Sequence, residues 1–248
     1  MDLSTLLSLS NHRERHDTYK AHLEHAIHTH DHNLLEQLVD HLADENTPLL
    51  LSRAMLSEIA KQMTELPTEL MITLGEHTLA QTLERAASFD EQVSAVRELL
   101  AEAYEKDEQW TAAARMLAAI ALDSRDDEYT ISKSIQIARL FLQDDDAVSA
   151  ETFINRASLM LDPERTSPAL TLQHKVCYAR ILDSKRKFLE AATRFYQLSH
   201  TVTRLGDGLK VSEEDLMGSL RMAATNAILA PAGPARSRLL GTLMKDER

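Results

Sequence analysis

Eight of the eleven histidines fall between residues 12 and 41, and several stand at helical spacing: His12/His16 and His28/His32 at i, i+4, His22/His25 at i, i+3. Neutral imidazoles one helical turn apart can hold a transition metal on a helix face. A structural site needs three or four converging ligands, whereas the mixed phases of these histidines spread them around a helix. His28-Thr29-His30 has the His-x-His form of a metalloprotease signature, with Asp40 as a candidate carboxylate ligand. That signature needs its histidines on a sheet and an aspartate at fixed spacing after them. Here a helical segment puts His41 at that position and Asp40 one residue away. A solvated helix face is the better reading, so no metal ligand and no cofactor are expected.

Other chemistry finds no support in the residues. Neither Gly-x-x-x-x-Gly-Lys nor Gly-x-Gly-x-x-Gly occurs, so no loop can cradle phosphates, and Gly206-Asp207-Gly208 reads as a plain loop. No nucleophile elbow precedes a helix. The single cysteine, Cys177, excludes an internal disulfide and a thiolate zinc site, and its neighbours Val176, Tyr178 and Ala179 mark it as a core thiol. Acids at residues 123–128 and at Asp144, Asp145 and Asp146 sit where turns should precede helices, and carboxylates are favoured there by the free N–H groups and the helix dipole. The alternative is a contact surface for a basic partner. On that alternative the triplet, with Asn155 and Arg156, is the candidate partner-binding set. An active site is not expected. The competing enzyme reading is a metal hydrolase built on the histidine-rich segment.

The elements that would carry these residues follow from composition. In 248 residues there are six glycines, six prolines, five Phe, five Tyr and one Trp, while 44% are apolar. Few turn formers mean long segments, which disfavours sandwiches, barrels and doubly wound folds. No stretch reaches the roughly 20 consecutive apolar residues that cross a bilayer. Asp2 stands where a secretory signal carries basic residues, so a cytoplasmic and nuclear protein is expected. The net charge of −12 divides unevenly: residues 1–88 sum to −8, 89–165 to −9 and 166–248 to +5. The first two segments repel nucleic acid, the one basic knot is Lys185-Arg186-Lys187, and a basic protein is the better partner.

Apolar residues recur at helical spacing, as in Leu35, Leu38, Val39 and Leu42, and alternating strand patterns are absent. Breaks near residues 46–48, 66–68, 88–90, 123–128, 162–168, 204–208 and 231–234 cut the chain into about eleven helices. Superposing Trp110, Ala147 and Phe188, which lie 37 and 41 residues apart, aligns three units. Each has an alanine nine positions before the anchor (Ala101, Ala138, Ala179) and another three after it (Ala113, Ala150, Ala191). Large apolar residues stand six before (Tyr104, Phe141, Leu182) and seven after (Leu117, Ile154, Phe195). Small residues where helices cross and bulky ones between hairpins is the tetratricopeptide-like arrangement. The expected fold is all-α, a right-handed α-solenoid of tetratricopeptide-like helical hairpins. Residues 1–88 show no such register and are read as an N-terminal segment of the same arm, with the repeats proper in 89–248.

From Phe89 onward the sequence contains long distinctive phrases. Among them are Tyr104-Glu105-Lys106-Asp107-Glu108-Gln109-Trp110, Ile137-Ala138-Arg139-Leu140-Phe141-Leu142, Ile154-Asn155-Arg156-Ala157-Ser158-Leu159, His174-Lys175-Val176-Cys177-Tyr178-Ala179 and Lys245-Asp246-Glu247-Arg248. In these the chain resembles the subunit-four family of the COP-nine signalosome, the complex that removes the ubiquitin-like protein Nedd8 from cullin ubiquitin ligases. Ala147 departs from the proline that family tends to place after the acidic triplet. The resemblance implies a non-catalytic scaffold whose isopeptidase partner is another subunit. It also implies contacts with other signalosome subunits and with neddylated cullin and its RING partner, and no small-molecule substrate. Family members continue into a winged-helix PCI module, so this chain is read as the helical-repeat arm alone. A PCI-type subunit of the proteasome lid or of translation initiation factor three is the alternative scaffold.

Overall fold

Sparse glycine and proline leave few places for a helix to stop, and the computed structural model, which describes residues 12–122, 125–162, 164–201 and 212–247, is built accordingly. Among the described residues there are twelve α-helices and no strand. They are α1 (His12–Thr29), α2 (His32–Ala43), α3 (Leu49–Gln62), α4 (Thr68–Thr82), α5 (Asp90–Lys106), α6 (Trp110–Ala118), α7 (Asp127–Gln143), α8 (Ala147–Met160), α9 (Pro168–Ser184), α10 (Phe188–Thr201), α11 (Glu213–Leu229) and α12 (Pro234–Leu243). Short 3-10 turns, Met63–Glu65 and Leu83–Ser88, follow α3 and α4. No described helix is long and apolar enough to cross a membrane. Gly206, Asp207 and Gly208, like residues 123 and 124, lie outside the described residues.

The anchors of the repeat, Trp110, Ala147 and Phe188, are the first residues of α6, α8 and α10. All twelve aligned positions around them are buried. The turn before each anchor is made in one way. Two residues before it the chain turns left-handed, with φ of 59° at Glu108, 56° at Asp145 and 58° at Arg186. The next N–H then reaches back across the helix end: Gln109 to the Tyr104 carbonyl at 2.8 Å, Asp146 to Phe141 at 2.9 Å, Lys187 to Leu182 at 2.8 Å. This six-to-one bond with a left-handed residue is the Schellman way of closing a helix, and here it also aims the chain into the next one.

A fourth copy stands where the sequence showed no register. His30 has φ 52°, the Asp31 N–H donates to the Ala26 carbonyl at 3.0 Å, and His32 opens α2. Counting from His32, the aligned positions are Leu23, Ala26, Leu35 and Val39, all buried. Leucines occupy the alanine positions and an alanine replaces the large residue. Volume is exchanged between neighbouring sites, so burial is kept while residue identity is lost. The next hairpin, α3 with α4, turns instead through Met63–Glu65 and Pro67.

The chain divides into two compact units, Met1–Ala121 and Leu122–Arg248. In the first, α5 packs on α3 and α4, and Phe89, Val93 and Ala103 share one core with Tyr19, Leu23, Leu38, Met55 and Leu74. Arg85 ties its edge: the guanidinium donates to the Ala43 and Asp44 carbonyls at 3.0 Å each, at the C-terminus of α2, and lies over the Phe89 ring. In the second unit α7 packs on α8 and α9, and α9 on α10; Ala179, Leu182, Ala191, Phe195 and Ala223 form a shared core.

At Gly75 the backbone of α4 comes close to α5. A Cβ there would lie 2.7 Å from Cδ2 and 2.9 Å from Cγ of the buried Leu100. Overpacking costs about 1–3 kcal/mol, more than the roughly 1 kcal/mol that alanine gains over glycine in a helix. Gly75→Ala is therefore expected to lower the urea midpoint, and to combine non-additively with Leu100→Ala. A midpoint that stays or rises would show that the two helices are not in close contact there.

Candidate functional site

Each member of the acidic triplet has a separate place in one turn. Asp144 is the C-cap of α7, Asp145 is the left-handed residue, and Asp146 is the N-cap of α8. The Asp146 carboxylate accepts the Ser149 N–H at 3.0 Å, and its hydrogen bonds with Ser149 hold the carboxyl below the usual carboxylate range. Asp31, at the corresponding place in the first hairpin, likewise accepts the Leu34 N–H at 3.2 Å. An aspartate just before a repeat's second helix thus serves two helices, ending one through its N–H and starting the next through its carboxylate. Asn155 is exposed and Arg156 half-buried, both on α8. At 1.5 Å per residue, Asn155 is about 14 Å along α8 from Asp146 and half a turn out of phase. The five candidate residues therefore do not converge.

The histidines separate as well. His25, His28 and His30 are exposed along or just after α1, and His22 is half-buried; the His12 side chain lies outside the described residues. No group of three or more His, Cys, Asp or Glu side chains that could hold a metal occurs among the described residues. Asp40 meets His77 of α4, its Oδ1 lying 2.6 Å from Nε2, with the Glu36 carboxylate 3.8 Å from the other ring nitrogen. This link between α2 and α4 was not read from the sequence. The available signal was the i, i+4 spacing of Glu36 and Asp40 on one exposed face. His41 stacks on Tyr19, with centroids 5.8 Å apart, and burial pushes its pKa down.

The second unit buries two titratable groups. His174 of α9 sets Nε2 3.2 Å from the Ile154 carbonyl of α8 and stacks on Tyr178. Cys177 is buried, as the sequence implied, and its burial pushes the thiol up, against the pull of the Arg180 and Arg139 charges. Such a thiol is a poor nucleophile. Across α4 and α5, the Tyr104 hydroxyl donates to Glu76 at 2.5 Å, and desolvation together with that carboxylate pushes the phenol up to about 12. These groups fix helices to one another.

The turn predicts a division of labour within the triplet. Asp146→Ala is expected to lower stability by about 1 kcal/mol through loss of the cap, and Asp146→Asn by less. Asp145→Gly and Glu108→Gly, which relieve a left-handed non-glycine residue, should each hold stability or raise it by up to about 1 kcal/mol, read from urea unfolding. An equal loss at all three positions would contradict the turn geometry.

His174 generates a pH dependence of definite sign. Burial lowers its pKa from the ordinary 6.5. As pH falls, the unfolded chain takes up the proton first. Stability from the neutral ring is therefore complete above the ordinary value and drains away below it. The thermal midpoint should fall between about pH 7 and pH 5, and His174→Gln should flatten that fall, leaving the part due to His41. An unchanged slope in His174→Gln would place the titrating group elsewhere.

The residues thus compose helix ends, helix crossings and paired polar groups. Residues 6–204 match the family described as PSMD12/CSN4, N-terminal. The chain is 43% identical over 250 residues to "COP9 signalosome complex subunit 4" of Arabidopsis thaliana, with 99% of this chain and 63% of that protein covered. It is 40% identical to the protein of the same name in Dictyostelium discoideum, covering 97% and 60%, and 38% identical to that of Drosophila melanogaster, covering 99% and 61%. The chain spans about three-fifths of the length of these relatives. The phrases quoted from Tyr104 to Arg248 and the four-fold Schellman turn lie in a chain that belongs to the PSMD12/CSN4 N-terminal family.

Proposed function

We propose that the chain is a non-catalytic scaffold and substrate-sensing arm of the COP-nine signalosome, acting through the surfaces of its helical repeats in the deneddylation of cullin–RING ubiquitin ligases. The observation that carries this reading is the 43% identity to a signalosome subunit over 99% of the chain. The three relatives all bear the signalosome name, which favours it over a subunit of the proteasome lid or of translation initiation factor three. Its partners are other signalosome subunits and neddylated cullin with its RING protein, in the cytoplasm and nucleus. Isopeptidase chemistry belongs to a different subunit. Helical hairpins suit such a role because their exposed faces present side chains for protein contacts.

Residues 1–165 carry −17, so attraction to a basic face of the ligase should dominate encounter. Exposed pairs are worth about 0–1 kcal/mol each and are screened over about 8 Å at physiological salt. Binding to a reconstituted neddylated cullin–RING ligase is expected to weaken with added salt. Changing Asp144, Asp145 and Asp146 together to Asn should slow association more than it speeds dissociation. Salt-insensitive binding with an unchanged association rate would leave the triplet its role in the turn alone, and absence of any binding would count against the substrate-sensing role.

A further inference from the structure

Between α9 and α10 lies a pocket of about 190 Å³, lined by His174, Lys175 and Tyr178 of α9 and by Arg194, Gln197 and Leu198 of α10. Leu198 and His174 are buried, Tyr178 is half-buried, and Lys175 and Arg194 are exposed, so a closed interior meets a cationic rim. A row of contacts fixes the arginine. His174 sets Nε2 3.2 Å from the Ile154 carbonyl, and its ring stacks on Tyr178 with centroids 6.4 Å apart and 4° between the planes. The Arg194 guanidinium stands over the Tyr178 ring, 5.6 Å from its centroid. A guanidinium held by a ring face keeps its N–H donors for an anion, and an arginine placed in advance loses less freedom when that anion binds.

No acid is among the lining residues, and among the described residues neither Lys175 nor Arg194 takes part in an ion pair. Glu190, one turn before Arg194 on α10, is exposed and lies outside the lining. The repeat does not call for these cations. The positions thirteen before and six after the anchor, held here by Lys175 and Arg194, are Arg97 and Met116 in the first repeat and Ser134 and Phe153 in the second. Both cations belong to residues 166–248, which sum to +5 in a chain of net charge −12. Two cations at one small pocket suit a compact dianion. A phosphate monoester carries about two negative charges at neutral pH, whereas a carboxylate would leave one cation unmatched. The volume is below the roughly 300–1,000 Å³ of sites that enclose a whole small molecule, so it suits a phosphate group carried on a side chain. Two cations are too few to hold nucleic acid by phosphate neutralisation.

We propose that this pocket receives a phosphorylated side chain of a partner protein, with Arg194 gripping two phosphate oxygens through its planar fork and Lys175 balancing the second charge. Because both cations are exposed, the phosphate alone is held weakly, and the partner's remaining contacts supply the rest of the affinity. The charge preference is opposite to that of the acidic triplet.

The test uses the full chain alone, so its outcome is separate from that of signalosome membership. The probes are a short glycine peptide bearing one phosphoserine, the same peptide unphosphorylated, and inorganic phosphate, each titrated into isotope-labelled chain while amide NMR shifts are followed. The phosphopeptide is expected to move the amides of Lys175, Tyr178 and Arg194, with a millimolar dissociation constant that weakens with salt and is no weaker than that of inorganic phosphate. The unphosphorylated peptide should move none of them. Lys175→Gln and Arg194→Gln should each weaken the phosphopeptide severalfold while the amide pattern elsewhere holds, and Arg194→Lys should weaken it too, because the fork is lost. Glu190→Gln should tighten it, and Lys187→Gln, on the exposed turn between α9 and α10, should leave it unchanged. Equal response to the unphosphorylated peptide, shifts centred on the Lys185-Arg186-Lys187 turn, undiminished binding in the Lys175 and Arg194 variants, or no binding at all would overturn the proposal. So would inorganic phosphate binding about tenfold more tightly than the peptide, which would give the pocket to a free ion, or displacement of the peptide by a single-stranded oligonucleotide at lower concentration, which would give it to nucleic acid.

Discussion

One hydrogen bond recurs at the head of four hairpins, running from the N–H just before the second helix back to a carbonyl five residues earlier, and the remaining architecture depends on it. It closes only if the intervening residue turns left-handed, which His30, Glu108, Asp145 and Arg186 do. An L side chain with positive φ costs about 1 kcal/mol or more, least for His and Asp, so the strain is sustained by the helix packing that the turn permits. With the turn fixed, the second helix starts at one defined residue and lies back along the first. The buried positions nine and six before the anchor then face those three and seven after it. Alanine at two of the four permits the close crossing in the three later copies. The first copy reaches the same burial with the large and small residues exchanged between sites.

That geometry assigns charges as well. The residue carrying the reverse hydrogen bond is also the N-cap of the next helix, so an aspartate there meets two demands with two different groups. Asp31 and Asp146 share this arrangement in two of the four hairpins, which ties an acidic residue in the triplet to a rule of the fold. Asp144 and Asp145 place their carboxylates in solvent beside it. The acidic character of the chain is thus partly a consequence of how its helices begin.

Other polar groups serve to join helices that are distant in sequence. Asp40 and His77 connect α2 to α4, Tyr104 and Glu76 connect α5 to α4, His174 reaches the backbone of α8 from α9, and Lys185, just after α9, pairs with Glu151 of α8. Within each unit, such links help to set the pairing of one hairpin with the next. Histidine and cysteine, residues that invite thoughts of catalysis, here have values displaced by burial in the direction of the neutral form.

Helix content, the absence of strands among the described residues, the three-unit register and the buried thiol were all legible in the sequence, because periodicity and the small-large pattern are local or recur at a fixed interval. Family membership was legible too, in phrases long enough to be distinctive. Three features were decided only in tertiary structure. The first hairpin's turn was invisible because its packing residues exchange volume between sites, and volume is conserved over a pair of helices while identity is read one residue at a time. Asp40 found His77 across 37 residues, a separation that no spacing rule encodes. His174 of α9 met the Ile154 carbonyl of α8 because successive hairpins pack side by side, joining groups that the sequence shows only as separate residues.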